Sequence, residues 1–199
     1  MKRTILMLAP GLLFAAVLLL SGCASPGYGD TSNATFSGKL DVRWVENNYF
    51  LFVPNPQSPL TLERADGSTI TPGLMFTDGG SIPKMFWGIE GYSPWGYAPA
   101  YMVHDWLFVT EHCKDHPDSK YTFEDSVAVM AEAMKAIMES NTKVRNYFVF
   151  DTVVGAIDSP IAEKLWDKGK CVPIPDEIRP SMGTSANQMG ELFMSIDFE

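Results

Sequence analysis

The sequence predicts an α+β protein in which N-terminal antiparallel β-strands pack with a C-terminal bundle of three to four helices. Two observations carry this prediction. Residues 35–76 alternate between apolar and polar side chains and contain turn signals, and residues 99–166 contain long apolar runs at helical spacing. The order of strands first and helices second is typical of α+β proteins. With 199 residues, the chain fits one such domain, over residues 35–170.

Within the β region, several short runs are predicted to be strands. Leu40, Val42 and Trp44 alternate with polar residues, and residues 49–53 form a continuous apolar run. An Asn-Asn pair and an Asp-Gly pair between such runs are turn signals.

The helical region follows an aromatic, Gly- and Pro-rich stretch. Ser81 is predicted to cap a helix that opens at residues 82–87, and Thr122 is a possible cap of the next-but-one helix. The later helices are predicted over residues 99–109, 123–138, 143–157 and 161–166. After Cys171 the Pro-rich segment 171–199 shows little periodicity, and we expect an extended or loose arm.

The N-terminus has the features of a secretory signal. Lys2 and Arg3 precede a short apolar run that ends in LSGC at residues 20–23. These four residues resemble a bacterial lipobox. The resemblance implies that residues 1–22 are removed and that Cys23 carries a diacylglycerol and an N-acyl chain such as palmitate. The alternative is an ordinary signal peptide with an incidental cysteine.

The lipobox resemblance also implies a location. Ala24 follows the cysteine, where the enteric sorting rule would place Asp for inner-membrane retention. We therefore expect anchoring in the outer membrane, facing the periplasm or the cell surface, with the membrane itself as a partner. Residues 23–34 are rich in Ser, Gly, Pro and Asn and predict a flexible tether between lipid and domain.

The net charge and the cysteine count bear on the kind of partner and on a disulfide bond. Removal of residues 1–22 takes away two basic residues and no acidic one, so the formal net charge goes from −9 to −11. We expect no nucleic-acid partner, because phosphate binding needs clustered Lys and Arg. With Cys23 lipidated, Cys113 and Cys171 are left as an even pair, which favours a disulfide in an oxidising compartment.

Three polar features interrupt the apolar pattern. They are the loop Asp78-Gly79-Gly80, the pair His104-Asp105 within an apolar helix, and Asp125 at the start of the next helix. A charged side chain in an apolar helix is costly unless it is paired or binds a metal, so Asp105 needs a partner.

These features carry a family resemblance. TDGGSIP at residues 77–83, VHDWLF at residues 103–108, Asp125 and the aromatic-rich helix after it resemble domain of unknown function 1353, a family of phages and bacteria. The family usually has Phe-Ala in place of Gly79-Gly80 and Tyr in place of Phe108. The resemblance spans residues 40–157 and implies a possible prophage origin, but no activity.

A weaker, mechanistic resemblance is to secreted calcium-dependent phospholipases of the A-two type. It implies that His104 is a general base, that Asp125 orients it, and that Asp105 binds calcium together with carbonyl groups of Asp78, Gly79 and Gly80. This chain lacks the cysteine framework of those enzymes and, at Phe108, their Tyr hydroxyl.

Two hypotheses therefore stand side by side, and whether the protein is an enzyme is left open. The first is a non-catalytic envelope lipoprotein that binds an envelope protein or lipid, in which His104, Asp105 and Asp125 form a structural hydrogen-bond network. The second is a calcium-dependent lipid or ester hydrolase. His112 and His116, four residues apart, could bind zinc on a helix, although the Pro after them favours a surface turn.

Overall fold

The computed structural model describes residues 25–45, 49–77, 94–174 and 191–198. Over these residues, antiparallel sheets are built mainly from the N-terminal half and four helices from the C-terminal half. The α+β prediction is confirmed. The short helix predicted over residues 82–87 lies outside the described residues, as do Cys23 and residues 1–22.

The described strands form two antiparallel sheets. A three-stranded sheet has the order β1-β4-β5, and a four-stranded sheet has the order β6-β3-β2-β7. The strands are β1 (Ala34–Ser37), β2 (Lys39–Val45), β3 (Tyr49–Phe52), β4 (Thr61–Arg64), β5 (Thr69–Ile70), β6 (Met75–Thr77) and β7 (Glu191–Asp197). At Gly38 the chain turns from one sheet into the other with a φ of 81°, and a Cβ there would lie 2.1 Å from the carbonyl oxygen of Pro59. Glycine is therefore required at this position.

The described helices follow in chain order, with a single 3-10 turn before each of the first three. They are α1 (Ala98–Cys113), α2 (Phe123–Ser140), α3 (Tyr147–Ile157) and α4 (Pro160–Lys168). α3 begins four residues later than predicted, because the Asn146 side chain accepts a hydrogen bond from the Val149 amide and caps the helix. The Thr122 cap of α2 is present as predicted.

The core lies between the sheets and the helices. α1 is buried along most of its length and contacts α2, α4 and β6, while α2 contacts β1 and α3. Arg64 at the end of β4 donates two hydrogen bonds to the Glu132 carboxylate on α2, at 2.7 and 3.0 Å. This hydrogen bonding raises the pKa of Arg64. The bidentate ion pair ties the smaller sheet to α2.

The C-terminal segment ends in the larger sheet. β7 pairs antiparallel with β2, and the Ser195 hydroxyl donates to the Asp41 carboxylate at 2.7 Å. Of the expected extended or loose arm, residues 191–197 adopt the extended alternative, as a strand paired with β2. Met194 and Ile196 pack against the core, and this burial accounts for the strand.

The segment before β1, which the sequence assigned to a flexible tether, lies against the helices from residue 25 onwards. Tyr28 packs edge-on against Tyr147 and Phe150 and donates a hydrogen bond to Glu139 at 2.5 Å. Burial and this hydrogen bond raise the pKa of Tyr28 to about 12. Aromatic packing thus holds a stretch whose composition indicated flexibility.

Candidate functional site

His104 lies in the buried middle of α1. Its side chain is 2% exposed, and its ring centre is 5.0 Å from that of Phe108, one turn later on the helix. Among the described residues, neither ring nitrogen has a hydrogen-bond partner. Burial lowers the pKa of His104 from 6.5 to about 4, so the imidazole is neutral at pH 7.

Asp125 is engaged elsewhere. Its carboxylate accepts hydrogen bonds from the backbone amide and the hydroxyl of Thr122, at 2.9 and 3.1 Å, and the Thr122 hydroxyl accepts one from the Asp125 amide. This reciprocal pair is a capping box at the start of α2. The expected hydrogen bond between Asp125 and His104 is not formed, because the cap uses the carboxylate that was expected to orient the imidazole.

Asp105 points to a different environment from its neighbour His104, as the 100° step of a helix requires. It is half-buried, and the Thr77 hydroxyl donates to its carboxylate at 3.2 Å. Thr77 is the last residue of β6, so the chain leaves the sheet beside Asp105. The expected calcium ligands Asp78, Gly79 and Gly80 follow directly but lie outside the described residues.

Metal ligands are sparse in the described ranges. No group of three or more His, Cys, Asp or Glu side chains could hold a metal ion there. Calcium takes six to eight oxygen ligands, and from the described part of the expected site only Asp105 supplies a carboxylate. A calcium site at Asp105 therefore stays a prediction.

The disulfide prediction is confirmed. Cys113 at the end of α1 is bonded to Cys171, with 4.6 Å between the Cα atoms. The bond fastens the segment after α4 to the end of α1.

The two other histidines have structural partners. His112 Nε2 lies 3.1 and 3.0 Å from the carbonyl oxygens of Leu165 and Trp166 in the last turn of α4. His116 lies beyond the end of α1, and its Nδ1 accepts a hydrogen bond from the Asp118 amide at 3.2 Å. The surface turn expected from the Pro is present, and His116 is not on the helix that the zinc alternative requires.

A cleft of about 490 Å³ lies beside the disulfide, between β6, the second half of α1 and the segment after α4. Its volume is in the range of small-molecule sites. Its walls are largely apolar, with Trp106 and Phe108 from α1, and Lys170 and Asp115 are among its few charged residues. The Trp106 indole donates to the buried Asp118 carboxylate at 2.8 Å, which fixes the ring. Sequence reasoning missed this cleft, because its walls meet only through tertiary packing and the disulfide.

Similarity to known proteins does not assign the site. No protein-family model matches the chain, and no curated protein or solved structure matches it either. The resemblances described above therefore stay predictions. Within the residues that the structure describes, no helix is long and apolar enough to span a bilayer.

Proposed function

We propose that the protein is a membrane-anchored envelope lipoprotein held by lipid on Cys23. The signal-like N-terminus and LSGC at residues 20–23 support this. The disulfide between Cys113 and Cys171 is consistent with an oxidising compartment outside the cytoplasm. Outer-membrane sorting and a prophage origin belong to the same proposal, and they rest on Ala24 and on the resemblance to domain 1353.

We propose further that the domain binds rather than catalyses. The observation that carries this is the placement of His104, which is buried in the core and has no hydrogen bond from either nitrogen to the described residues, while Asp125 caps α2. A general base must reach the proton that it abstracts, directly or through one water. Burial also makes the imidazole a weaker base than an ordinary histidine.

The cleft beside the disulfide supports a binding role. Largely apolar walls with a few polar groups are typical of ligand sites, and an envelope lipid or an envelope protein fits this chemistry. The acidic chain does not fit nucleic acid.

The calcium-dependent hydrolase is the second candidate, and one observation favours it. The Thr77 hydroxyl donates a hydrogen bond to Asp105, and Thr77 directly precedes Asp78, Gly79 and Gly80 in the sequence, which are the other residues expected to bind calcium.

Calcium titration separates the two candidates. The lipid-free domain is titrated with Ca²⁺ by calorimetry, as wild type and as Asp105→Asn, and both proteins, together with His104→Gln, are then mixed with phospholipid vesicles. A binding protein releases no fatty acid whether or not calcium is present. Calcium binding that is lost in Asp105→Asn, together with calcium-dependent fatty-acid release that is lost in His104→Gln, would instead establish the hydrolase.

A further inference from the structure

The first described residues lie firmly on the helical part of the domain. The Ser25 hydroxyl donates to the Asp158 carboxylate, directly after α3, at 2.7 Å. The Lys135 ammonium donates to the carbonyl of Thr31 at 2.6 Å, and Thr31 is buried. These hydrogen bonds hold the chain against the domain surface at Ser25 and at Thr31.

The reach from this point to the lipid is short. Cys23 precedes Ser25 by two residues, and two fully extended residues span about 7 Å. A lipid on Cys23 therefore holds the surface around Asp158 close to the bilayer. The flexible tether predicted over residues 23–34 would instead leave the domain free to move away from it.

α4 starts at this same surface and presents an apolar face. Ser159, the residue after Asp158, caps α4 by accepting a hydrogen bond from the Ala162 amide. Ile161 and Leu165 are 75% and 58% exposed. They are four residues apart, so they lie on one face of the helix.

The opposite side of α4 fixes the orientation of this face. Trp166 is 6% exposed and packs edge-on against Phe108 and Phe123. With Trp166 held in the core, Ile161 and Leu165 project outward as a fixed apolar pair.

We propose that the Ile161–Leu165 face of α4 inserts into the headgroup and acyl boundary of the membrane that holds Cys23. The inference rests on the proposed lipid anchor and adds a fixed orientation to it. Amphipathic helices lie in this boundary with their apolar side inward. A second copy of the chain is a poorer occupant, because two side chains bury far less than the roughly 1,200 Å² of a stable protein interface.

The docking is apolar rather than electrostatic. The remaining exposed side chains of α4 include two acidic and two basic residues, Glu163, Asp167, Lys164 and Lys168, which balance each other. Salt screens exposed charges but leaves apolar burial in place, so docking is insensitive to ionic strength. Docking also brings the cleft to the membrane, because His112 in the cleft wall bonds to the last turn of α4.

Spin labels test the proposal on the full lipidated protein in vesicles of phosphatidylethanolamine and phosphatidylglycerol. Single substitutions Ile161→Cys and Leu165→Cys carry the nitroxide. The matched control is Leu192→Cys, an exposed leucine on β7. We expect collision with oxygen, relative to a water-soluble nickel chelate, to rise severalfold at both α4 positions on vesicles, at low and at high salt, and to stay unchanged at the control.

A second measurement covers the case in which an added cysteine disturbs the native disulfide. Hydrogen exchange of the α4 amides is compared between the wild type and the double variant Ile161→Glu, Leu165→Glu on the same vesicles. The side chains are exposed, so the variant folds. We expect membrane protection of α4 in the wild type and its loss in the variant, while Leu192→Glu retains it.

Mass spectrometry of the same samples reports acylation of Cys23, so the failures can be told apart. An acylated protein that floats with the vesicles while both α4 labels stay in water overturns the docking and leaves the anchor in place. An unacylated Cys23 removes the anchor and the docking together. Protection that appears without vesicles and grows with protein concentration assigns the face to a second copy and also overturns the proposal.

Discussion

Replacing His104 with leucine should leave the free energy of unfolding at neutral pH equal to that of the wild type or higher. The imidazole is 2% exposed and, among the described residues, makes no hydrogen bond through either nitrogen. A buried polar group without a partner costs roughly 1–3 kcal/mol. Leucine removes this cost and adds apolar burial, which offsets the strain of an imperfect fit, typically about 1–3 kcal/mol. We expect the free energy of unfolding of His104→Leu to exceed that of the wild type by zero to about 2 kcal/mol at pH 7.5.

The pH dependence sharpens this prediction. The pKa of His104 falls from 6.5 in the unfolded chain to about 4 in the folded one, so below pH 6.5 the unfolded chain binds a proton that the folded chain rejects. The stability tied to neutral His104 is fully present above pH 6.5 and is lost as the pH falls towards 4. The shift corresponds to about 3 kcal/mol. Leucine does not titrate, so the advantage of the variant over the wild type should grow across this window.

Urea unfolding of the lipid-free domain with its disulfide intact, followed by tryptophan fluorescence, measures the stability difference at pH 7.5 and its change between pH 6.5 and 4. His104→Ala is the matched control, since it removes the same nitrogens but leaves a cavity that costs about 2–5 kcal/mol. If His104→Leu is less stable than the wild type by more than about 2 kcal/mol at pH 7.5, the imidazole has hydrogen-bond partners worth that much, which would contradict its unpartnered state. A parallel loss of stability in wild type and variant between pH 6.5 and 4 would contradict the lowered pKa of His104.

Three further changes test the packing of the domain in the same unfolding assay. Gly169→Ala should lower the free energy of unfolding by about 1–3 kcal/mol, because the new Cβ would lie 1.8 Å from the His112 ring. Gly155→Ala, on the open surface of α3, should raise it by about 0.5–1 kcal/mol. Equal effects of the two substitutions would contradict the contact between Gly169 and His112. Replacing Cys113 and Cys171 with serine should lower stability by about 4 kcal/mol, given a sequence separation of 58, and an unchanged midpoint would speak against the bond. Glu132→Leu should lower the free energy of unfolding by about 1–3 kcal/mol, because the partly buried Arg64 loses both hydrogen bonds to the carboxylate and keeps Asp66 as a weaker partner at 4.0 Å. A neutral effect would show that the Arg64–Glu132 ion pair is not formed.

Local chemistry allowed much of the helical half to be predicted. A Thr-x-x-Asp pattern before an apolar run specifies the cap of α2 on its own, and Thr122 and Asp125 form it. The same capping box engages the Asp125 carboxylate, which the resemblance to the phospholipases had placed beside His104, so the local role is the one that the structure shows. Contacts between near neighbours need no knowledge of the remaining fold.

Long-range packing was less predictable. Residues 171–199 show little periodicity, and the pairing of β7 with β2 joins segments some 150 residues apart, as the 154-residue separation of Ser195 and Asp41 shows. The proline-rich sequence before β7 led to the prediction of an extended or loose arm, without a partner strand.

The burial of His104 depends equally on distant parts of the chain. A histidine in an apolar helix fits a catalytic base, a hydrogen-bonded core residue or an unpartnered one, and only the packing around α1 distinguishes them. The cleft was not predictable for the same reason, since its walls come from three separate parts of the chain.

Mass spectrometry of the N-terminal peptide of protein extracted from bacterial membranes tests whether the protein is a lipoprotein anchored at Cys23. We expect a mature chain that begins at Cys23, with a diacylglycerol thioether on the sulfur and an acyl chain on the amine. A chain that begins elsewhere, or an unmodified Cys23 thiol in the mature protein, would contradict it.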